Sequence, residues 1–558
     1  MSLGTEIHPV FADSTQVPLD ELTGIDQLFR EVDEQAAGNF RLAGARRWRI
    51  DPDRLDTMLD REDRHSYHRL YWAVRYARAM AMGHPQAGAA LHRDLKRWLS
   101  GARAGWSAMA AYTVAERIAS WAEILFWAHD LSTDLISRIK RELWHDARHL
   151  HANIEYFLGT HNHLLNDARA LYIAAESLPE CQDAESWKST AFDLWQGFFP
   201  ALVRADGTFT EQSSHYHLLL CRTGLEYFIA CRQSGRGVPE GFLRKLRGMF
   251  LLANDLLRPD GSLPRFGDNS PDHTVEDLWG VIAAAQSHDL LDAPARHRAI
   301  TPLTIYYGAP PGPTIPSPPS QAIRLYHSGG FAFLRSPQGA ELAVHADPAP
   351  EAHAHGDAGR GSFELWWRGQ VIIREPGCFL SPFDQRSQWF RSAEAQNVTS
   401  LEGLAPAMTE EDQRRMSDWY WRECGEWSSL PDGSIRYTCN AFRRLRPDLK
   451  VSRTWSFDAD GSLLLEERLD GAQGNVQFSS RVCLGDGHWG ELHAGPRCAR
   501  IERGSVRVVA RFPEEVTASI ENGAYTPEYG IEFPARVLVL SGRLNLPARW
   551  TLRCEMAA

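Results

Sequence analysis

Four short segments concentrate side chains that can transfer protons or hold charge, and they lie at residues 160–167, 206–217, 260–269 and 353–377. Histidine and tyrosine can act as general acids and bases in catalysis. Arginine and asparagine can stabilise a carboxylate or a negative charge that develops during a reaction. The combination indicates acid–base chemistry beside a stabilised negative charge.

The first two segments each lead into a predicted helix. Asn162 and His163 stand where a helix begins, and although such residues can be simple caps, the accompanying second histidine exceeds what a cap needs. Tyr216 stands between two histidines and follows Glu211. A tyrosine can be a buried aromatic residue with a satisfied hydroxyl, but these neighbours favour a functional site.

The other two segments add cations and a histidine pair. Arg265 could oppose an anion or pair with Asp268 in a loop rich in Gly and Pro. His353 and His355 are two residues apart, and such side chains point to the same side of an extended segment. That arrangement suits a metal or a substrate. Arg391, further along, adds another cation.

The elements that must position these residues change character along the chain. From about residue 17 to 300, apolar residues recur at three- and four-residue steps, as in Val114, Ile118, Trp121 and Leu125, which predicts amphipathic helices. Seven prolines between residues 302 and 319 then exclude a continuous helix and indicate a linker.

Beyond Ala322 the period becomes two. Val506, Val508 and Ala510 alternate with Arg507 and Arg511, which predicts antiparallel strands. We therefore predict a multidomain α + β protein with a helical domain at 1–301, a Pro-rich linker at 302–322 and an antiparallel β-sandwich at 323–558.

Composition excludes several classes of protein. The net charge of −11 argues against a general nucleic-acid binder, because phosphate binding needs a basic surface, but a local group of cations could still bind an anionic substrate. No apolar run approaches the roughly 18 residues of a membrane span. The nine cysteines form no CxxC pair, which indicates reduced thiols. The first residues lack a basic and then apolar leader, so we expect a cytoplasmic protein, or a periplasmic one if a leader has been removed.

Taken together and in this order, the segments resemble the heparinase II/III-like family of polysaccharide lyases, over about residues 60 to 400. The residues that carry the resemblance are Asn162-His163-Leu164-Leu165, the segments 206–217 and 260–269, His353, His355, Asp357, Ser362 and Phe363, then Glu375-Pro376-Gly377 and Trp389-Phe390-Arg391-Ser392. The resemblance implies an N-terminal incomplete (α/α) toroid, a C-terminal β-sandwich and a cleft between them that holds an acidic polysaccharide.

The resemblance also implies a reaction, β-elimination of a uronate-containing chain. Asn162 and His163 would neutralise the uronate carboxylate, and Tyr216 would act as acid, or as acid and base in a syn elimination. His163 or His353 would be the base for the other stereochemistry. By residue type, Arg391 also suits the uronate carboxylate, and we expect Glu211, Arg265, His355 and Arg391 to contact the substrate. We expect these histidines and arginines to form a locally positive cleft.

Zinc-containing relatives suggest a metal site whose positions here read His355, Glu375 and Gln396. Glutamine in place of histidine removes a nitrogen ligand, so we expect zinc binding to be weakened or lost.

Two other functions remain open from the sequence. A glycoside hydrolase on the same scaffold would use paired carboxylates such as Asp206, Glu211 or Asp268. A non-catalytic carbohydrate-binding protein of exopolysaccharide assembly would keep the fold without the acid–base residues. The sequence does not determine the sugar, endo or exo cleavage, or the oligomeric state.

Overall fold

The computed structural model divides the chain into two units, each assembled from separate stretches. The first consists of Met1–Val203, Leu218–Leu251 and Ser270–Pro316, and the second of Arg204–His217, Leu252–Asn269 and Ser317–Ala558. The residues described are 6–12, 22–51, 58–101, 106–127, 131–156, 161–297, 299–308, 322–348, 355–380, 384–407, 425–485, 492–494, 497–503 and 506–557.

Helices dominate the chain up to residue 308. They span Ile25–Ala36, Arg61–Arg69, Tyr71–Ala81, Ala87–Ser100, Trp106–Met109, Ala111–Trp127, Thr133–Ala152, Asn162–Ser177, Ala184–Leu202, Ser214–Gln233, Glu240–Leu256, Val275–Ser287 and Pro302–Tyr306. A small hairpin pairs Asn39–Arg41 with Arg47–Arg49. Local sequence sets several helix starts. At Val275–Ser287, for example, Thr274 and Asp277 form a reciprocal capping box.

The apolar stripe predicted from the sequence falls in the helix Ala111–Trp127 and lies in the core of the helical unit. Val114, Ile118 and Trp121 are fully buried, and Leu125 is nearly so. Buried ion pairs also join helices within this unit. Glu116 accepts hydrogen bonds from Arg169 at 3.1 Å and from Arg222 at 3.0 Å, so burial of these charges is offset by pairing.

Beyond residue 322 the chain forms antiparallel strands. They span Ile323–Tyr326, Phe331–Arg335, Ala340–His345, Ser362–Trp367, Gln370–Ile373, Thr399–Leu401, Gly425–Ser429, Ile435–Cys439, Lys450–Phe457, Leu463–Leu484, Leu492–Ala494, Cys498–Arg503, Val506–Arg511, Thr517–Glu528 and Ile531–Ala557. One short helix, Gln385–Arg391, lies among them.

The two longest strands of this β region pair with each other along most of their length. Leu463–Leu484 pairs with Ile531–Ala557 from Leu463 opposite Cys554 to Leu484 opposite Arg536, with one register shift after Leu469. The predicted alternation holds in the neighbouring strand Val506–Arg511, where valines at 506 and 508 are buried and Arg507 is exposed.

The fold class is confirmed as an N-terminal incomplete (α/α) toroid followed by a C-terminal antiparallel β-sandwich. Within the predicted linker, Pro302–Tyr306 forms a short helix in which proline occupies the first turn, where its missing N–H costs nothing. The rest of the proline run, 309–321, lies outside the described residues.

In the part of the chain that the structure describes, no helix is both long and apolar enough to cross a membrane. The eight cysteines described are free thiols, and seven of them are buried.

Candidate active site

Tyr216 lies in the first turn of the helix Ser214–Gln233, and two serines fix this turn to a loop. Ser213 Oγ accepts the Tyr216 N–H at 3.1 Å and donates to the carbonyl of Asp268 at 2.7 Å. The Ser214 N–H donates to the carbonyl of Phe266 at 3.0 Å. The segments 206–217 and 260–269, which the sequence singled out separately, therefore form one site within the second unit.

Gly267 allows a third segment to approach this loop. Its φ is +71°, and a Cβ at this position would overlap the backbone oxygen of His355 and lie 2.7 Å from that of Gln212. Gln212 and His355 themselves have positive φ values of 43° and 61°. Backbone strain of this kind persists only where surrounding contacts hold it, and it is typical of functional sites.

His355 stacks on the ring of Tyr216, with centroids 3.6 Å apart and planes inclined by 13°. Its Nδ1 lies 3.0 Å from Asp268 Oδ2, and its Nε2 lies 3.6 Å from Glu211 Oε2. Both ring nitrogens therefore face carboxylates. Arg391 also donates to Asp268 Oδ2.

Two buried carboxyl groups at this site have pKa values that are shifted in opposite directions. Burial would raise the pKa of Asp268, but the Arg391 guanidinium and the bond from His355 together hold it below its ordinary value. Burial raises the pKa of the neighbouring Asp357 to about 6, although the backbone N–H groups of Gly359 and Gly267 oppose the shift. The site thus contains an ionised carboxylate beside one that takes a proton more readily.

The structure also decides the pairing of Arg265. Its Nη2 donates to Glu528 Oε1 at 3.1 Å, so Arg265 pairs with Glu528 and not with Asp268. The positive cleft expected from the sequence stays a prediction, because it includes His353, which lies outside the described residues around Tyr216. His355 and Arg391 are matched there by Glu211 and Asp268.

Asn162 and His163 lie in the first unit, where Asn162–Ser177 is a helix. The ring of His161 caps its start by accepting the His163 N–H at 3.2 Å. His163 Nδ1 lies 2.9 Å from Glu155 Oε2, and its ring centroid is 4.4 Å from that of Tyr112. The His163 side chain is 39% exposed, so it is accessible to a ligand.

One residue predicted for the site is not described by the structure, and another has a structural role. His353 lies outside the described residues. Asp206, a candidate carboxylate for hydrolysis, closes a local turn by bonding Thr208 and accepts the Ser328 N–H at 2.6 Å, which is a structural role. Sequence reasoning missed Glu155 and Tyr112 because no helical or strand period connects either residue to His163.

Among the residues described, those at the predicted zinc positions do not form a set of three His, Cys, Asp or Glu ligands. His355 directs its nitrogens at Asp268 and Glu211. Glu375 Oε1 instead accepts hydrogen bonds from Ser362 and from Asn397, the latter at 2.7 Å. Burial, together with the nearby charge of Asp357, raises the pKa of Glu375 well above its ordinary value, and a protonated carboxyl is a poor ligand.

Gln396 uses its amide nitrogen to bond the Phe390 carbonyl at 2.7 Å. No group of three or more His, Cys, Asp and Glu side chains suited to a metal occurs among the residues described. We therefore derive no step through a metal.

Two models of protein domains match the sequence of this chain. The model of the heparinase II/III N-terminus matches residues 25–278, and that of the heparinase II/III-like C-terminal domain matches residues 318–553. A heparin-sulfate lyase of Pedobacter heparinus is 24% identical over 276 residues, which cover 46% of this chain and 39% of the relative. One of Bacteroides stercoris is 23% identical over 257 residues, 43% of this chain and 35% of the relative. The chain thus aligns with less than half the length of these curated relatives.

Solved structures share the whole fold. A crystal structure of heparinase III superposes with a TM-score of 0.74 at 16% identity, covering 98% of this chain and 87% of that one. The heparan sulfate lyase HepC from Pedobacter heparinus superposes with a TM-score of 0.60, also at 16% identity, covering 98% of this chain and 86% of that one. Two matching domain models in the family's order and a shared fold lead to one conclusion: the chain belongs to the heparinase II/III-like family.

Proposed function

We propose that this protein is a polysaccharide lyase that cleaves a uronate-containing acidic polysaccharide by β-elimination. The observation that carries the proposal is the stacking of Tyr216 on His355, with Asp268 and Glu211 at the two ring nitrogens. The stacking places two side chains that can transfer protons in catalysis, a phenol and an imidazole, side by side.

The reaction needs two proton transfers and no redox partner. A base takes the proton from C5, beside the uronate carboxylate, and the electrons of that bond form the C4–C5 double bond. The bond between C4 and O4 breaks, and O4 takes a proton from an acid. The C5 proton is acidic enough only when the negative charge that spreads into the carboxylate is stabilised.

Tyr216 is the residue that we assign to proton transfer. In an anti elimination its hydroxyl donates its proton to O4. In a syn elimination Tyr216 starts as the phenolate, removes the C5 proton and then passes that proton to O4. The His355 ring lies against the Tyr216 ring and limits how the phenol can turn. Arg391 and Asp268 would keep His355 in place.

Asn162 and His163 are assigned to the uronate carboxylate on the strength of the family motif. Asn162 offers amide N–H donors, and a histidine N–H can donate to a carboxylate as well. His163 is also a candidate base for an anti elimination, because its side chain is accessible. His353 is a second candidate for this base, and only the family motif supports it.

Heparan sulfate is the first substrate to test, because curated relatives and solved structures of similar fold carry the names heparin-sulfate lyase and heparan sulfate lyase. Its uronates meet the requirement for a carboxylate beside C5. Alginate and bacterial exopolysaccharides with uronates meet it too. A panel of these polymers therefore belongs in the same assay.

The experiment follows the ultraviolet absorbance of the unsaturated product and, in parallel, the release of reducing ends. We expect both signals to rise together for the wild type, and Tyr216→Phe to lower kcat by about 100- to 10,000-fold. Tyr437→Phe is the matched control, because Tyr437 is a buried tyrosine of the same unit whose hydroxyl bonds a backbone carbonyl.

Other outcomes would identify the alternatives. Reducing ends without ultraviolet absorbance would indicate a hydrolase. Binding of the polymer without either signal would indicate a carbohydrate-binding protein. Full activity in Tyr216→Phe would refute our assignment of the acid.

A further inference from the structure

His163 is held by a residue that no motif indicates. Its Nδ1 lies 2.9 Å from Glu155 Oε2, and the Glu155 side chain is only 17% exposed. Because an ionised carboxylate can only accept hydrogen bonds, the hydrogen of this contact must belong to the histidine. The contact therefore places a proton on Nδ1.

Asp167 anchors Glu155 in turn. Its Oδ2 accepts the backbone N–H of Glu155 at 2.9 Å, and Asp167 is fully buried in the helix that His163 opens. This bond fixes the backbone of Glu155 next to the helix that carries His163.

The rest of the surroundings limits how the ring can turn. The Tyr112 ring lies against His163 at 4.4 Å, and its hydroxyl donates to Asp272 at 2.8 Å. The ring of His161 contacts the His163 ring edge-on at 4.9 Å. Two aromatic rings and one carboxylate thus define the orientation of the imidazole.

We infer that Glu155 is a positioning residue that fixes the Nδ1–H tautomer of His163, so that the lone pair of the neutral ring is on Nε2. A neutral histidine with this tautomer can take a proton at Nε2, whereas the other tautomer cannot. Asp167 supports this arrangement through the backbone of Glu155. The neutral ring then has no N–H at Nε2 to donate to a uronate carboxylate, so the tautomer selects the base from the two roles proposed for His163. That consequence for catalysis rests on the proposed lyase function, but the tautomer itself does not.

The test measures the tautomer directly. Full-length protein labelled with ¹⁵N-histidine is examined by NMR at a pH where the ring is neutral, and the His163 signals are assigned by their absence in His163→Gln. We expect the wild-type ring to be protonated on Nδ1. In Glu155→Leu the ring should revert to the Nε2–H form that free histidine prefers.

Glu155→Gln provides the conservative rescue, because its amide oxygen can still accept from Nδ1. We expect the Nδ1–H form to predominate again. Glu185→Leu is the matched control, since Glu185 is a glutamate of the same unit whose side chain is 90% exposed. This control should leave the His163 signals unchanged.

Activity provides the second readout. If the lyase assay gives product, Glu155→Leu should lower kcat by about 10- to 100-fold, the usual effect of removing a residue that orients a functional histidine. KM should change much less, and Glu155→Gln should restore most of the rate.

An Nε2–H ring in the wild type, or an unchanged Nδ1–H ring in Glu155→Leu, would overturn the inference. If Glu155→Leu does not fold, the wild-type and Glu155→Gln spectra still decide. An Nδ1–H ring in a protein that makes no unsaturated product would refute the lyase function alone.

Discussion

Replacement of Asp268 by asparagine tests whether the contacts around Tyr216 serve catalysis or only stability. Asp268 bonds both His355 and Arg391, and it is 6% exposed. Asparagine has nearly the same size and keeps one oxygen that can accept a hydrogen bond. The substitution Asp268→Asn therefore removes the charge and little else.

The burial of Arg391 determines how much unfolding free energy Asp268→Asn should lose. Arg391 is 4% exposed, so Asp268→Asn leaves a buried guanidinium without its carboxylate. Removing one partner of a buried ion pair costs about 3–5 kcal/mol of unfolding free energy. In a domain of a few hundred residues, a loss of that size lowers the thermal midpoint by about 6–20 °C.

We expect a separate loss of activity, because His355 is no longer held by a charged acceptor beside Tyr216. In the lyase assay kcat should fall by about 10- to 100-fold at a temperature where calorimetry shows the variant folded. Asp255→Asn is the matched control. Asp255 is a buried carboxylate of the same unit that bonds Arg324 at 2.8 Å and Arg335 at 3.0 Å.

The two variants separate stability from catalysis. Both should lose a similar amount of thermal stability, and only Asp268→Asn should lose kcat. Wild-type kcat in Asp268→Asn would refute the role that we give to His355. Equal losses of kcat in both variants would show that the effect is one of stability.

Three further measurements test the physical description. The pKa of Asp167 is raised to about 7 and that of Asp357 to about 6, in both cases by burial, so the folded protein binds these protons more tightly than the unfolded chain. The unfolding free energy should therefore fall as the pH rises from about 4 to about 7, and calorimetry should show a flatter dependence for Asp167→Asn. Gly267→Ala should lower both the thermal midpoint and kcat, whereas Gly403→Ala, with a φ of +76° and open space around its Cβ position, should cost only the backbone strain of about 1–2 kcal/mol. A strong chelator should leave the thermal midpoint unchanged, because Glu375 is bonded within the protein rather than arranged for a metal; a fall of the midpoint that zinc restores would contradict this.

The order of helices and strands could be predicted because it depends on local patterns. Val114, Ile118 and Trp121 recur at helical spacing, and all three are fully buried in one helix. The strand Val506–Arg511 shows the same agreement between alternation and burial. In both cases the period of the side chains is fixed by backbone geometry over fewer than 20 residues.

Pairing between distant segments could not be predicted. Arg265 bonds Glu528, 263 residues later, although Asp268 is much closer in sequence. Leu463–Leu484 pairs with Ile531–Ala557, and no periodicity specifies which strand is the neighbour. These choices depend on the complete packing of the β region, because each strand can satisfy its hydrogen bonds with several others.

By itself, the sequence determined the fold class, the family resemblance and the residue types that can carry the chemistry, because these follow from local periods and from short motifs in a fixed order. Only the tertiary structure decided the partners of those residues. It placed His355 against Tyr216 and Asp268 and not at a metal position, and it joined His163 to Glu155. The physical reason is that tautomer, charge and ring orientation are set by contacts within about 3–4 Å. No local period specifies which side chains make such contacts, whether the partners are eight residues apart, as Glu155 and His163 are, or lie in distant segments.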